Sequence, residues 1–150
     1  RQGKWQSSNK ATEMIYIQRR AIFSAAHRLA NPSWSDEKNQ AVFGHCANEY
    51  SHGHNFQLIV TVKGEVNPDT GFVINLVDLK AIMDSEIIQH VDHRNLNHDV
   101  PFMQGIMPST ENLAMVFWQQ IEGPIAKHGA ALHCIRIVET ENNMVEYYGE

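Results

Sequence analysis

"SHGHNFQLIVTVK", residues 51–63, is the stretch whose reading decides the fold. His52, His54, Phe56, Leu58, Val60 and Val62 share one parity, while Asn55, Gln57, Thr61 and Lys63 share the other. Alternate side chains of an extended chain leave on opposite faces, so this pattern predicts a half-buried β-strand. Its apolar row ends in two imidazoles at i and i+2, which can face one ion. Gly53 between them removes side-chain bulk where a ligand or another chain would approach.

The same pattern stands upstream. In "EMIYIQRRAIFSAAH" (13–27), Ile15, Ile17, Ala21, Phe23, Ala25 and His27 share a parity, with Arg19 interrupting it and marking a place for a bulge or bend. If the two strands pair antiparallel around the polar excursion at 31–45, His27 meets His52 and His54 at one end. Three imidazoles with an open fourth position make the catalytic form of a zinc site. A cupin also carries His-x-His on a strand but needs a Glu four or five residues later, where Leu58 and Ile59 stand.

The rest of the chain predicts one α+β domain over 13–150, with two helices on one face of an antiparallel sheet. A short helix is expected over 36–44, a turn at 67–71 ("NPDTG"), and a return strand over Phe72–Ile74. Helices follow from Asn75, a candidate N-cap, and from Ser109, with Gly123-Pro124 as the second helix's stop. "ALHCIRIVE" and "MVEYYG" read as two strands joined at "TENN". Residues 1–12 are expected to be a flexible N-terminal segment without the apolar core of a secretory signal.

Composition narrows the function. With 43% hydrophobic and 19% charged residues over 150 positions, a packed core is expected. A net charge of −5 argues against nucleic acid or anionic membrane as partner, and no apolar run is long enough to span a bilayer. Two cysteines among 150 residues do not make a disulfide framework, so a reducing cytoplasm is the expected location. Cys46 could close the histidine site as a fourth ligand. Its setting in a Gly- and Asn-containing loop, in a chain able to build a core, favours an unligated thiol near a cation, able to act as base or nucleophile. Cys134, inside a strand, reads as inert.

Six motifs then occur in order: "FSAAHRL" (23–29), "CANEYSHGHN" (46–55), "GFVINLVDLK" (71–80), "VDHRNLN" (91–97), "STEN" (109–112) and "VETENN" (138–143). Together, over residues 15–149, they closely resemble the 6-pyruvoyl/6-carboxy tetrahydropterin synthase family. The Cys-x₅-His-x-His spacing resembles the eukaryotic 6-pyruvoyl tetrahydropterin synthase type rather than the shorter bacterial Cys-x₃-His-x-His. The resemblance implies a phosphorus–oxygen lyase of tetrahydrobiopterin biosynthesis, converting 7,8-dihydroneopterin triphosphate to 6-pyruvoyl-tetrahydropterin with loss of triphosphate. It implies zinc on His27, His52 and His54, Cys46 as general base, and Asp92 and His93 completing a proton relay from a neighbouring subunit. It further implies pterin binding by Ser109, where relatives commonly read Thr, by Thr110 and Glu111, and by Glu139 as anchor. A magnesium requirement stays open.

The implied architecture is the tunnelling fold: sheets of three copies close a barrel, and two trimers stack into a homohexamer, which removes exposed sheet edges. The chemistry suits the residues. A carboxylate accepts two N–H groups from the guanidine-like edge of a pterin. Plainer readings stand beside these: Asp92-His93 as a polar helix end, Glu139 as a solvated strand residue, and Ser109-Thr110-Glu111 as a helix cap.

Overall fold

A computed structural model of the protein describes residues 13–150; the expectation for 1–12 lies outside the described residues. β1 (Ile15–His27) and β2 (His52–Gly64) form the antiparallel pair that the alternation predicts. Their ladder runs unbroken from Ile15 opposite Gly64 to His27 opposite His52, so Arg19 marks no bulge. It lies on the core-facing row opposite Val60, half-buried.

The excursion between them carries α1 (Asp36–Phe43), capped by Ser35, whose side chain accepts from Lys38 N. After β2 the chain turns through 67–71, but Phe72–Ile74 forms no strand. Instead Asn67 N donates to the Phe72 carbonyl, and Ile74 is buried in the core. The turn folds back on itself and leads directly into α2 (Leu76–Met83), which Asn75 caps by accepting from Val77 N. A π-helical stretch at Asp84–Ile88 and a last turn at Gln89–Val91 prolong α2. β3 (Arg94–Asn95) comes next, then α3 (Thr110–Ala126), β4 (Ala131–Thr140) and β5 (Asn143–Tyr147).

The sheet order is β3-β1-β2-β4-β5. It differs from the expected antiparallel sheet: two-residue β3 lies parallel to β1, with Ala25 beside Arg94, so the five-stranded sheet is mixed. α1 is the short helix expected over 36–44, so the described residues carry it beside the two long helices. α3 also runs through Gly123-Pro124 to Ala126. Pro124 lies in the last turn, where its missing N–H costs the helix one bond. The buried side chains of Ile121 and Ile125 hold that turn in the core.

One face of the sheet supplies Phe23, Phe56, Leu58, Val60, Ile135 and Ile137 to a core completed by Leu79, Met83, Leu113 and Phe117 from α2 and α3. Phe23 and Phe56 stack across the β1–β2 pair at 4.9 Å, with the Phe117 ring edge-on to Phe23. The other face stays open: Tyr16 and Ile22 are exposed. The covered face therefore places its terminal histidines at the edge of a dry, aromatic core.

Candidate metal centre and ligand cleft

Register builds the centre. Because Phe23 faces Phe56 in the ladder, His27 falls opposite His52 and Ala25 opposite His54, all on the core face. Ring centroids lie 4.5 Å apart for His27 and His52, 5.5 Å for His27 and His54, and 4.8 Å for His52 and His54. The Phe56 ring stands edge-on to both His27 and His54. His27 is fully buried.

Its Nδ1 lies 2.8 Å from the Pro108 carbonyl oxygen. A carbonyl only accepts, so Nδ1 carries the proton and Nε2 keeps its lone pair. Burial is the largest influence on His27 and holds its pKa below the ordinary histidine value, against the opposing pull of Pro108 and Glu139. Burial, reinforced by the neighbouring imidazoles, lowers that of His52 as well. Neutral rings are the form that binds metal.

The fourth member of the cluster is Glu139. Along β4, Ile135 and Ile137 face the core, and Glu139 prolongs that row. The β4–β5 pairing steps from Val138–Met144 to Thr140–Asn143, leaving Glu139 as the unpaired residue of an irregularity. Such bulges re-aim side chains beside active sites. Glu139 Oε1 lies 3.4 Å from His27 Nε2 and 3.2 Å from His54 Nε2. Donor atoms of His27, His52, His54 and Glu139 all fall within 4.8 Å of one another. Glu139 also lines a cleft of about 380 Å³ with Thr110, Glu111, Asn142 and Asn143.

Other candidates are placed differently. Cys46 sits half-buried on a single 3₁₀ turn, Gly44–Ala47. Its carbonyl accepts from Leu29 N at 2.7 Å, and Arg28 Nε donates to the Ala47 carbonyl at 2.9 Å. The thiol is not part of the converging donor group. Ser109 caps α3, its Oγ accepting from Asn112 N, and does not line the cleft as Thr110 and Glu111 do.

Asp92 and His93 are not members of the converging donor group. Asp92 Oδ1 accepts from Ser24 N at 2.9 Å, and its Oδ2 lies 3.0 Å from His93 Nδ1. The Ser24 N–H, with smaller help from His93, holds the Asp92 carboxyl below the usual range. His93, at φ +59°, takes the loop conformation that two adjacent residues need to address one place. Its side chain is 83% exposed beside an open cleft of about 510 Å³, lined by Ala25 and His54 as well as by Ser24, Ala26, Gly53 and Asn55. Pro108 escaped the sequence reading, and Asn142 and Asn143 entered it only as part of the turn "TENN"; the signal for the asparagines was their place in the turn that follows Glu139.

Whether a metal fits can be judged from the nitrogens. His27 Nε2, His52 Nδ1 and His54 Nε2 are buried without a hydrogen-bond partner. Buried polar atoms ordinarily find partners, and three nitrogen donors with one carboxylate oxygen suit a divalent ion such as zinc. Among the described residues, no helix is long and apolar enough to cross a membrane.

Comparison with known proteins bears on the same residues. The model of the 6-pyruvoyl tetrahydropterin synthase family matches residues 16–150. The chain is 43% identical over 134 residues to a human protein named 6-pyruvoyl tetrahydrobiopterin synthase, covering 89% of this chain and 91% of that one. A Poecilia reticulata protein of the same name is 43% identical over 145 residues, 96% of this chain and 97% of its own. The structure of Caenorhabditis elegans 6-pyruvoyl tetrahydropterin synthase superposes with a TM-score of 0.86 at 35% identity, covering 93% of this chain and 98% of that chain. An ordered histidine cluster on this fold, and relatedness along nearly the whole length, place the chain in the 6-pyruvoyl tetrahydropterin synthase family.

Proposed function

We propose that the protein is a zinc-dependent phosphorus–oxygen lyase of tetrahydrobiopterin biosynthesis. It converts 7,8-dihydroneopterin triphosphate to 6-pyruvoyl-tetrahydropterin with elimination of triphosphate, in the cytoplasm. The observation that carries this reading is the convergence of three partnerless, buried imidazole nitrogens next to a cleft bearing two carboxylates.

His27, His52 and His54 would hold the zinc. When bound, the ion supplies Lewis acidity toward the hydroxyl oxygens of the substrate's side chain. Glu139 and Glu111 accept the 2-amino and ring N–H groups of the pterin, with Thr110 beside them. Ser109 keeps its hydroxyl proton to donate, since its oxygen only accepts from Asn112.

Cys46 acts as the base that takes the proton from the side-chain carbon, its turn clipped through Leu29 and Arg28 to the segment that follows β1. The Asp92–His93 pair returns a proton: Nδ1 faces Asp92, which leaves Nε2 for the substrate. The pair lies outside the converging donor group and His93 is exposed, which supports its serving the site of a neighbouring copy. This fits a trimer whose sheets close into a barrel, two such trimers forming a hexamer, with the edges of β5 and β3 covered.

The test is incubation of the purified protein with 7,8-dihydroneopterin triphosphate and identification of the product by mass, with and without a chelator. A third arm adds magnesium. The pyruvoyl pterin, formed only while zinc is retained, supports the reading; a carboxy pterin or no product refutes it.

A further inference from the structure

Glu139 belongs to two places at once. Its Oε1 stands 3.4 and 3.2 Å from the His27 and His54 Nε2 atoms, and the same side chain lines the cleft with Thr110, Glu111, Asn142 and Asn143. Proton accounting makes the first contact informative. His27 spends its N–H on the Pro108 carbonyl, so a neutral His27 turns a lone pair toward the carboxylate. A lone pair and a carboxylate oxygen repel at that distance unless a cation lies among them. Neither Nε2 forms a hydrogen bond. Four donor atoms within 4.8 Å of one another, two of them nitrogens that make no hydrogen bond to the carboxylate, are spaced as ligands of one cation.

We infer that Glu139 is a detachable fourth ligand. Its carboxylate closes the coordination of an ion held by His27, His52 and His54 while the cleft is empty, and turns into the cleft when a ligand with a guanidine-like edge arrives. Three imidazole nitrogens and one carboxylate oxygen complete a tetrahedral shell. Departure of the carboxylate opens the fourth position only once the cleft is filled. The β4–β5 irregularity at Glu139 is what allows one residue to border both places. Linkage then requires that a cleft ligand without metal-binding oxygens weakens metal binding by the same factor as metal weakens that ligand. The exchange rests on the pterin reading given above, whereas ligation by Glu139 stands without it.

The experiment titrates cobalt(II) into the metal-stripped full-length chain and follows its visible absorption. It compares wild type with Glu139→Gln and Glu139→Asp, each with and without 2-amino-4-oxopteridine, which lacks the hydroxylated side chain. Wild type should show the intense band of a four-coordinate site. Glu139→Gln should bind on the order of tenfold more weakly or worse, with a changed band. Glu139→Asp keeps the charge but is one methylene shorter; it should change the band too, which separates ligation from simple charge attraction. Saturating pteridine should weaken cobalt binding by wild type several-fold and leave Glu139→Gln unaffected. Wild-type affinity and band in Glu139→Gln would overturn the ligation. No pteridine effect on wild type, or an equal effect on Glu139→Gln, would overturn the exchange. Failure of wild type to take up cobalt at all would remove the metal reading and this one together.

Discussion

The Nδ1 of His27, the last residue of β1, donates to the carbonyl oxygen of Pro108, 81 residues further along the chain. The segment leading into α3 thus decides which nitrogen of a strand-end imidazole is free. That one contact joins the loop before the second long helix to the chemistry at the end of the sheet.

Metal retention should depend on the three core-facing imidazoles and not on the others. His27→Gln, His52→Ala and His54→Ala are each expected to lose stoichiometric zinc, measured by elemental analysis after dialysis. His90→Ala and His133→Ala, outside the converging group, should keep it.

Cys46→Ala should separate binding from turnover. Its thiol is not in the donor group, so zinc content and pterin binding are expected to stay at wild-type levels. Turnover should fall by on the order of a hundredfold or more, the usual contribution of a positioned base. Loss of zinc in this variant would show instead that the sulfur is a ligand.

Asp92 ties the β3 edge to β1 through Ser24. Asp92→Ala should lower stability by about 1 kcal/mol, the scale of one hydrogen bond, reduced by the carboxylate's partial exposure. The sign of its pH dependence follows from a folded-state pKa held below the unfolded one. The contribution is present above the unfolded value and is lost as pH falls through the folded value. Denaturant melts of wild type and variant should therefore differ at neutral pH and converge in strong acid.

Metal-stripped protein should lose stability as pH drops from 7 toward 5. His27 and His52 have folded-state pKa values below the ordinary histidine value, so the unfolded chain takes up protons first. Stability is highest above the unfolded pKa and declines as pH falls toward the folded one. His27→Gln, which cannot protonate, should show a shallower decline in thermal melts over the same interval. An equal slope would mean that His27 does not stay neutral in the fold.

Much of the architecture is written locally. The period-two rows of β1 and β2 announce both strands, their shared burial and the imidazoles at one end, because side-chain direction in a strand depends only on parity. Asn75 and Ser109 announce helix starts because a cap bonds to a backbone N–H two or three residues on. Phe72–Ile74 misled the reading: three apolar residues after a turn satisfy a strand pattern, yet the turn's own hydrogen bonds send them toward α2. Gly123-Pro124 misled it too, since burial of Ile121 and Ile125 outweighs one absent bond.

The amino-acid sequence by itself determined the paired strands, the two long helices and the identity of the three imidazoles, all consequences of short-range periodicity and backbone sterics. Only the tertiary structure decided that Glu139 stands against those imidazoles, that Pro108 sets a tautomer, and that Asp92 accepts from Ser24 of β1. Those relations depend on strand register, a bulge in β4 and a parallel edge strand, which join residues far apart in the chain and so leave no local pattern to read.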